Sequence, residues 1–145
     1  MIRLPTKFFL SAAICGLLAG CPPNDCDVHA LGLEKVGEGA VDCGHARTGE
    51  AEADPVNACA VEAFQADRPF VRSLDRTGFD SLVTITLLSD GSELSLLFRD
   101  SAPCGGTNCA PVIDEAQCLG PFVVTSDEGD VVMCVDTGPR ERVCN

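Results

Sequence analysis

Leu82-Val83-Thr84-Ile85-Thr86-Leu87-Leu88-Ser89-Asp90-Gly91-Ser92-Glu93-Leu94-Ser95-Leu96-Leu97-Phe98-Arg99 decides the fold class of this chain. Apolar residues recur with a period of two on both sides of Asp90-Gly91, a dipeptide that favours a tight type I′ hairpin turn. A two-residue turn pairs Ser89 with Ser92, Leu87 with Leu94, Ile85 with Leu96 and Val83 with Phe98. Beyond the serines, every pair on that face is apolar. The other face carries Leu88 with Glu93, Thr86 with Ser95, Thr84 with Leu97 and Leu82 with Arg99, a mixed set that suits partial exposure. A slip of one residue would exchange the two faces, so the face that each residue takes is well specified.

Working outward, further strands are predicted at 70–76, 112–118, 122–126 and 131–136, the last two joined across Asp127-Glu128-Gly129-Asp130. Before them, Asp54-Pro55 reads as an N-cap followed by proline at the first helical position, where its missing N–H costs nothing. Val56, Cys59, Ala60, Ala63 and Phe64 then recur at three-and-four spacing, with Asn57, Glu62 and Gln65 off the stripe and Pro69 ending the run. Residues 22–54 are rich in glycine and acid and poor in period, and read as an irregular segment pinned by Cys26 and Cys43. The expected fold is α+β, one helix packed on an antiparallel sheet of four to six strands and stabilised by disulfides.

The N-terminus reads differently. Arg3 and Lys7 precede an apolar run from Phe8 to Gly20, the pattern of a secretory signal, and its thirteen residues fall short of the about 20 that span a bilayer. Leu18-Ala19-Gly20-Cys21 closes the run and resembles the lipobox of bacterial lipoproteins. The resemblance implies cleavage after residue 20, diacylglycerol on Cys21, and a mature chain beginning there. The alternative is an ordinary secretory signal ending on a chance cysteine. In lipoproteins of the enteric type an aspartate after the lipidated cysteine holds the protein in the inner membrane. Pro22 stands at that position here, so the resemblance implies the outer membrane. Residues 21–25 form a short tether, roughly 17 Å when extended, and residues 26–145 a single disulfide-bonded domain.

Of ten cysteines, Cys15 leaves with the signal and Cys21 goes to lipid, so eight remain, an even number suited to an oxidising compartment. Spacing does not fix their connectivity. The preferred set joins Cys43 to Cys59, fastening the irregular segment to the helix, and Cys104 to Cys109, closing a glycine-containing loop. It also joins Cys118 to Cys134 between two strands and Cys26 to Cys144 near the termini. Cys43-Gly44-His45 with Cys104 and Cys109 could hold zinc, but no C-x2-C pair is present, so no metal or cofactor is expected. The segment Cys59-x3-Ala63-Phe64-x4-Pro69-Phe70, with Gly78-x-Asp80-Ser81, Cys118 and Cys134, resembles small cysteine-bearing lipoproteins of myxobacteria. That resemblance implies a fold unit and a location and brings no activity with it.

Catalytic signatures are missing. The chain has no G-x-S-x-G, H-E-x-x-H or G-x-x-x-x-G-K, and its two histidines, His29 and His45, read as solvated loop residues. Asp127-Glu128-Gly129-Asp130 lacks the alternating ligands of a calcium loop and reads as an acidic turn, and Asp80-Ser81 as a turn before a strand. The formal charge of −12 becomes −14 once Arg3 and Lys7 leave with the signal, which argues against nucleic-acid partners. Tryptophan and tyrosine are both absent, which weakens a sugar-stacking reading. The favoured reading is a non-enzymatic, lipid-anchored envelope module, one form of which captures a cationic protein such as a lysozyme or protease and blocks it. The alternative is an envelope enzyme whose acid pair comes from carboxylates distant in sequence.

Overall fold

The computed structural model describes residues 27–105, 109–126 and 129–144. In chain order these form α1 (Val28–Val36), β1 (Val41–Arg47), α2 (Ala53–Gln65), β2 (Phe70–Thr77), β3 (Leu82–Ser89), β4 (Leu94–Asp100), β5 (Val112–Ser126), β6 (Gly129–Thr137) and β7 (Glu141–Cys144). The strands lie in the order β1-β2-β3-β4-β5-β6, with β7 on β5. All pairs are antiparallel except β1 with β2, which α2 joins as a crossover. The class is mixed helix and sheet, with two helices and seven strands where one helix and four to six strands were expected.

Two of the extra elements, α1 and β1, lie in the segment read as irregular, and the third, β7, follows the last strand expected. Asp27 caps α1 by accepting from the backbone N–H groups of His29 at 2.9 Å and Ala30 at 3.1 Å, and Gly37 ends the helix at φ 89°. Gly32 stands where a core residue would mark the apolar stripe. A Cβ there would come within 3.0 Å of Val71 and 3.1 Å of Thr86, so its missing side chain lets α1 lie close on the sheet. In β1 a register shift between Asp42 and Gly44 breaks the alternation, and the buried residues fall at Cys43 and Ala46, three apart.

The central hairpin is offset by two from the expected register. Ser89 pairs with Leu94, Leu87 with Leu96 and Ile85 with Phe98. The loop has four residues because the Asp90 carboxylate accepts from Ser92 N–H at 2.8 Å, Ser92 Oγ at 2.8 Å and Glu93 N–H at 2.9 Å, closing an Asx-type turn. The N–H groups of Glu93 and Ser92, with the Ser92 hydroxyl, hold the Asp90 carboxyl below its ordinary pKa. Gly91 has φ 97°, and a Cβ there would stand 3.0 Å from the Asp67 carbonyl oxygen. A shift of two leaves each side chain on its expected face.

Each face of the sheet carries a helix. On one, Ala60, Val61 and Ala63 of α2 pack with Phe70, Leu87, Leu96 and Val132. On the other, Val28 of α1 packs with Val71, Leu88, Leu97, Ile113 and Cys144. The face expected to be partly exposed is therefore interior, with Leu97 at 0% and Thr84 at 2% exposure, because α1 lies across it. The strands expected at 112–118 and 122–126 are one strand, β5, which carries Gly120 at φ 57° followed by Pro121. Cys118 and Val123 both face the α2-side core although they stand an odd five positions apart, so the strand changes face at Gly120-Pro121. Its second half pairs with β6, and this hairpin lies beside α2.

Disulfides join Cys43 to Cys59, Cys104 to Cys109 and Cys118 to Cys134, three of the pairs preferred from the sequence. Cys144 is also disulfide-bonded, while Cys21 and Cys26 lie outside the described residues. Among the described residues no helix is long and apolar enough to cross a membrane.

Candidate functional site

Two constellations merit a functional reading. The first is a polar lattice between α1 and the β1 edge of the sheet. The first turn of α1 brings His29 Nδ1 to 2.8 Å from Ser73 Oγ on β2, and its Nε2 to 2.9 Å from Asp42 Oδ1 on β1. Ser73 Oγ in turn lies 2.6 Å from Thr86 Oγ1 on β3. Beside it, His45 Nε2 stands 2.8 Å from Asp75 Oδ1, which also accepts from Thr84 Oγ1 at 2.7 Å. Burial alone would raise the Asp75 carboxyl pKa, but hydrogen bonds from Thr84 and His45 and the charges of His45 and Arg47 outweigh it and hold it low. The two imidazoles stack, with centroids 6.0 Å apart and planes inclined by 21°.

The expectation that both histidines are solvated loop residues is overturned, since one sits on a helix, one on a strand, and each has an aspartate partner. The order Ser73, His29, Asp42 has the composition of a nucleophilic relay. Ser73 is nonetheless 0% exposed and its hydroxyl is shared with Thr86, so no substrate carbonyl reaches Oγ. The lattice pins α1 to the sheet. Sequence reasoning missed it because the partners are up to 44 residues apart.

The second constellation is the seam between α2 and β6. A cavity of about 540 Å³ is lined by Asp54, Val61, Glu62 and Gln65 of α2 together with Asp130 of β6. A smaller one of about 290 Å³ adjoins it at Asp54 and is lined also by Glu50, Asn57, Leu74 and Val131. The spacing of Asp54, Val61, Glu62 and Gln65 lines one side of the helix along the seam. Glu62 is paired with Arg68 at 2.9 Å and Glu50 lies 3.9 Å from Arg47, whereas Asp54 and Asp130 face no basic partner among the described residues. Asp54 sits in the first turn of α2, and the N-cap expected of it falls to Glu52, whose side chain makes no capping bond. Asn57, expected off the buried stripe, is only 9% exposed, and its Oδ1 has no hydrogen-bond partner.

The other residues singled out from sequence are placed apart from these sites. Cys43, Cys104 and Cys109, the sulfurs of the zinc reading, are all bridged, and among the described residues no group of three or more metal-ligating side chains could hold an ion. Gly78 N–H donates to the Ser81 carbonyl at 2.8 Å, so Asp80-Ser81 belongs to a turn leading into β3. Asp127 and Glu128 lie outside the described residues, and Gly129 and Asp130 open β6. Compared with protein-family models, curated proteins and solved structures, the chain matches none.

Proposed function

We propose that the chain is a lipoprotein of the bacterial cell envelope, anchored through Cys21 in the outer membrane, that captures a cationic protein without catalysing a reaction. The observation that carries this reading is charge on a short leash. Thirteen of the fourteen net negative charges on the mature chain follow a tether of five residues, so a dense acidic domain is held near the bilayer, where it raises the encounter rate of basic partners. The seam beside α2 adds a concave acidic surface to that charge. On this reading Cys26 pairs with Cys144, tying the start of the domain to β7 next to α1. Peptide mapping of unreduced protein should recover that pair, and a free thiol at Cys26 would remove it from the account.

Anchoring and capture are tested separately. Cells fed labelled fatty acid should label the wild-type chain and not Cys21→Ser, and the variant should leave the detergent phase. Identical partitioning of the two would refute the anchor. For capture, immobilised mature domain is challenged with basic envelope proteins and lysozymes at low and physiological salt. Selective retention of one over others of equal charge is the expected result, weakening as the Debye length shortens to about 8 Å. Equal and wholly salt-labile retention would reduce the charge to a solubility device.

A further inference from the structure

We infer that Phe79, at the tip of the turn between β2 and β3, is a second membrane contact, seated in a zwitterionic leaflet beside the lipid of Cys21. The inference rests on the anchor reading and adds an orientation to it. The sheet stands with the β2–β3 turn at the bilayer surface and the β3–β4 hairpin pointing away.

At 107% exposure Phe79 is the most exposed large apolar side chain among the described residues, and the others, Leu119, Phe122, Met133 and Val135, lie on β5 and β6. A single exposed apolar residue needs no partner, so what matters is where Phe79 stands. The course of α1 decides that. His29 Nδ1 lies 2.8 Å from Ser73 Oγ, and one turn later a Cβ on Gly32 would stand 3.0 Å from Val71. α1 therefore runs against β2, and the chain after it enters β1 opposite Phe70. The N-terminus of α1, with the tether that precedes it, faces the end of the sheet at which β2 turns into β3.

The reach agrees. Cys21 stands six positions before the N-cap Asp27, so the lipidated residue lies within about 20 Å of it. From Ser73 to Thr77 β2 advances about 13 Å towards the same end, with Phe79 just past it, so lipid and ring reach one plane. The turn is built to present the ring. Gly78 N–H donates to the Ser81 carbonyl at 2.8 Å, a Cβ on Gly78 would stand 2.9 Å from that oxygen, and Leu82 N–H donates to Ser101 Oγ at 2.8 Å at the base. Residues 101–111 beside it contain no charged side chain, and Asp80 Oδ2 lies 3.2 Å from where a Cβ on Gly105 in that loop would stand. An aromatic ring beside an uncharged loop suits the boundary between headgroups and acyl chains. One ring is too little to hold a domain at a membrane, but beside an inserted lipid its contact is intramolecular and the effective concentration is high. The leaflet is zwitterionic because the mature charge of −14 is repelled by anionic headgroups.

The chain contains no tryptophan, so Phe79→Trp and Glu93→Trp each introduce a single reporter, one at this turn and one on the exposed loop of the β3–β4 hairpin at the opposite end. Full-length lipidated protein carrying either is reconstituted into phosphatidylcholine vesicles with plain or brominated acyl chains. Phe79→Trp should emit to the blue of Glu93→Trp and be quenched by bromine at least threefold more strongly. Equal quenching of the two, or quenching of neither, in protein that floats with the vesicles would overturn the contact and leave the anchor standing. Protein that does not float and carries no acyl mass on Cys21 would remove the anchor and this contact with it. A shift of Phe79→Trp emission that appears only when a basic protein is added would assign the ring to a protein partner and overturn the bilayer assignment.

Discussion

α1 and α2 lie on opposite faces of one sheet and are fastened to it by different means. α2, thirteen residues long, buries an apolar stripe beside a single polar residue, Asn57, and is locked to β1 by the Cys43–Cys59 bridge. α1, nine residues long, lies close through Gly32 and is located by His29 on Ser73 and Asp42. Burial of apolar surface is non-directional and tolerates sliding, whereas a histidine fixed at both ring nitrogens sets position and angle. One face is therefore fixed by covalent bond and area, and the other by shape and hydrogen bonds.

The largest effect expected from breaking this contrast is on the α2 face. Removing the bridge with Cys43→Ser and Cys59→Ser frees a loop of sequence separation 16 and should cost about 3 kcal/mol in urea unfolding. A cost below about 1 kcal/mol would mean that packing alone holds α2.

Arg72, under the same face, should show the opposite sign. Burial lowers its pKa to about 10, and among the described residues it makes one long hydrogen bond and no ion pair. Between that value and its ordinary one the unfolded chain binds the extra proton, so stability rises with pH there, and below about 10 the full penalty stands. Arg72→Met should therefore stabilise the domain at neutral pH by about 2 kcal/mol, read as a raised urea midpoint. A loss of stability would show that the Val132 contact outweighs the desolvation.

On the α1 face, Gly32→Leu should cost about 2 kcal/mol, since the new side chain meets Val71 and Thr86 at contact distance. Hydrogen exchange should localise the loss to α1 and leave α2 protected. The smallest expected change is from Asp75→Ala, about 1 kcal/mol at neutral pH, from the orphaned and buried Thr84 hydroxyl. Because the folded-state pKa of Asp75 is depressed, its contribution is complete above the ordinary carboxylate range and is lost as pH falls through the lowered value. Wild type and variant should therefore converge in acid, and a gap that widens there would refute the assignment.

The same contrast explains what was legible in the sequence. The stripe from Val56 to Phe64 and the alternation around Asp90-Gly91 announce α2 and the β3–β4 hairpin, because burial imposes period on sequence. The two-residue error in register came from Asp90, whose carboxylate closes a longer loop than the dipeptide suggests. α1 was hidden because a glycine fills the central position of its buried side, although Asp27, Lys35 and Gly37 mark its ends. β1 was hidden by its bulge at Gly44, and with it the parallel pairing. For the candidate sites, acidity was visible in composition, but the meeting of Asp54 with Asp130 depends on the turn of β5 at Gly120 and Pro121, which no local pattern specifies.

The most direct test of the central claim, that the α2 face carries recognition, is backbone amide NMR of the isotopically labelled mature domain titrated with the basic protein that it retains most selectively. Shifts concentrated in residues 50–65 and 129–132, saturating with a single affinity and leaving α1 unmoved, are the result predicted. Shifts centred on α1 and the His29–His45 lattice, or spread evenly over all acidic residues, would contradict it.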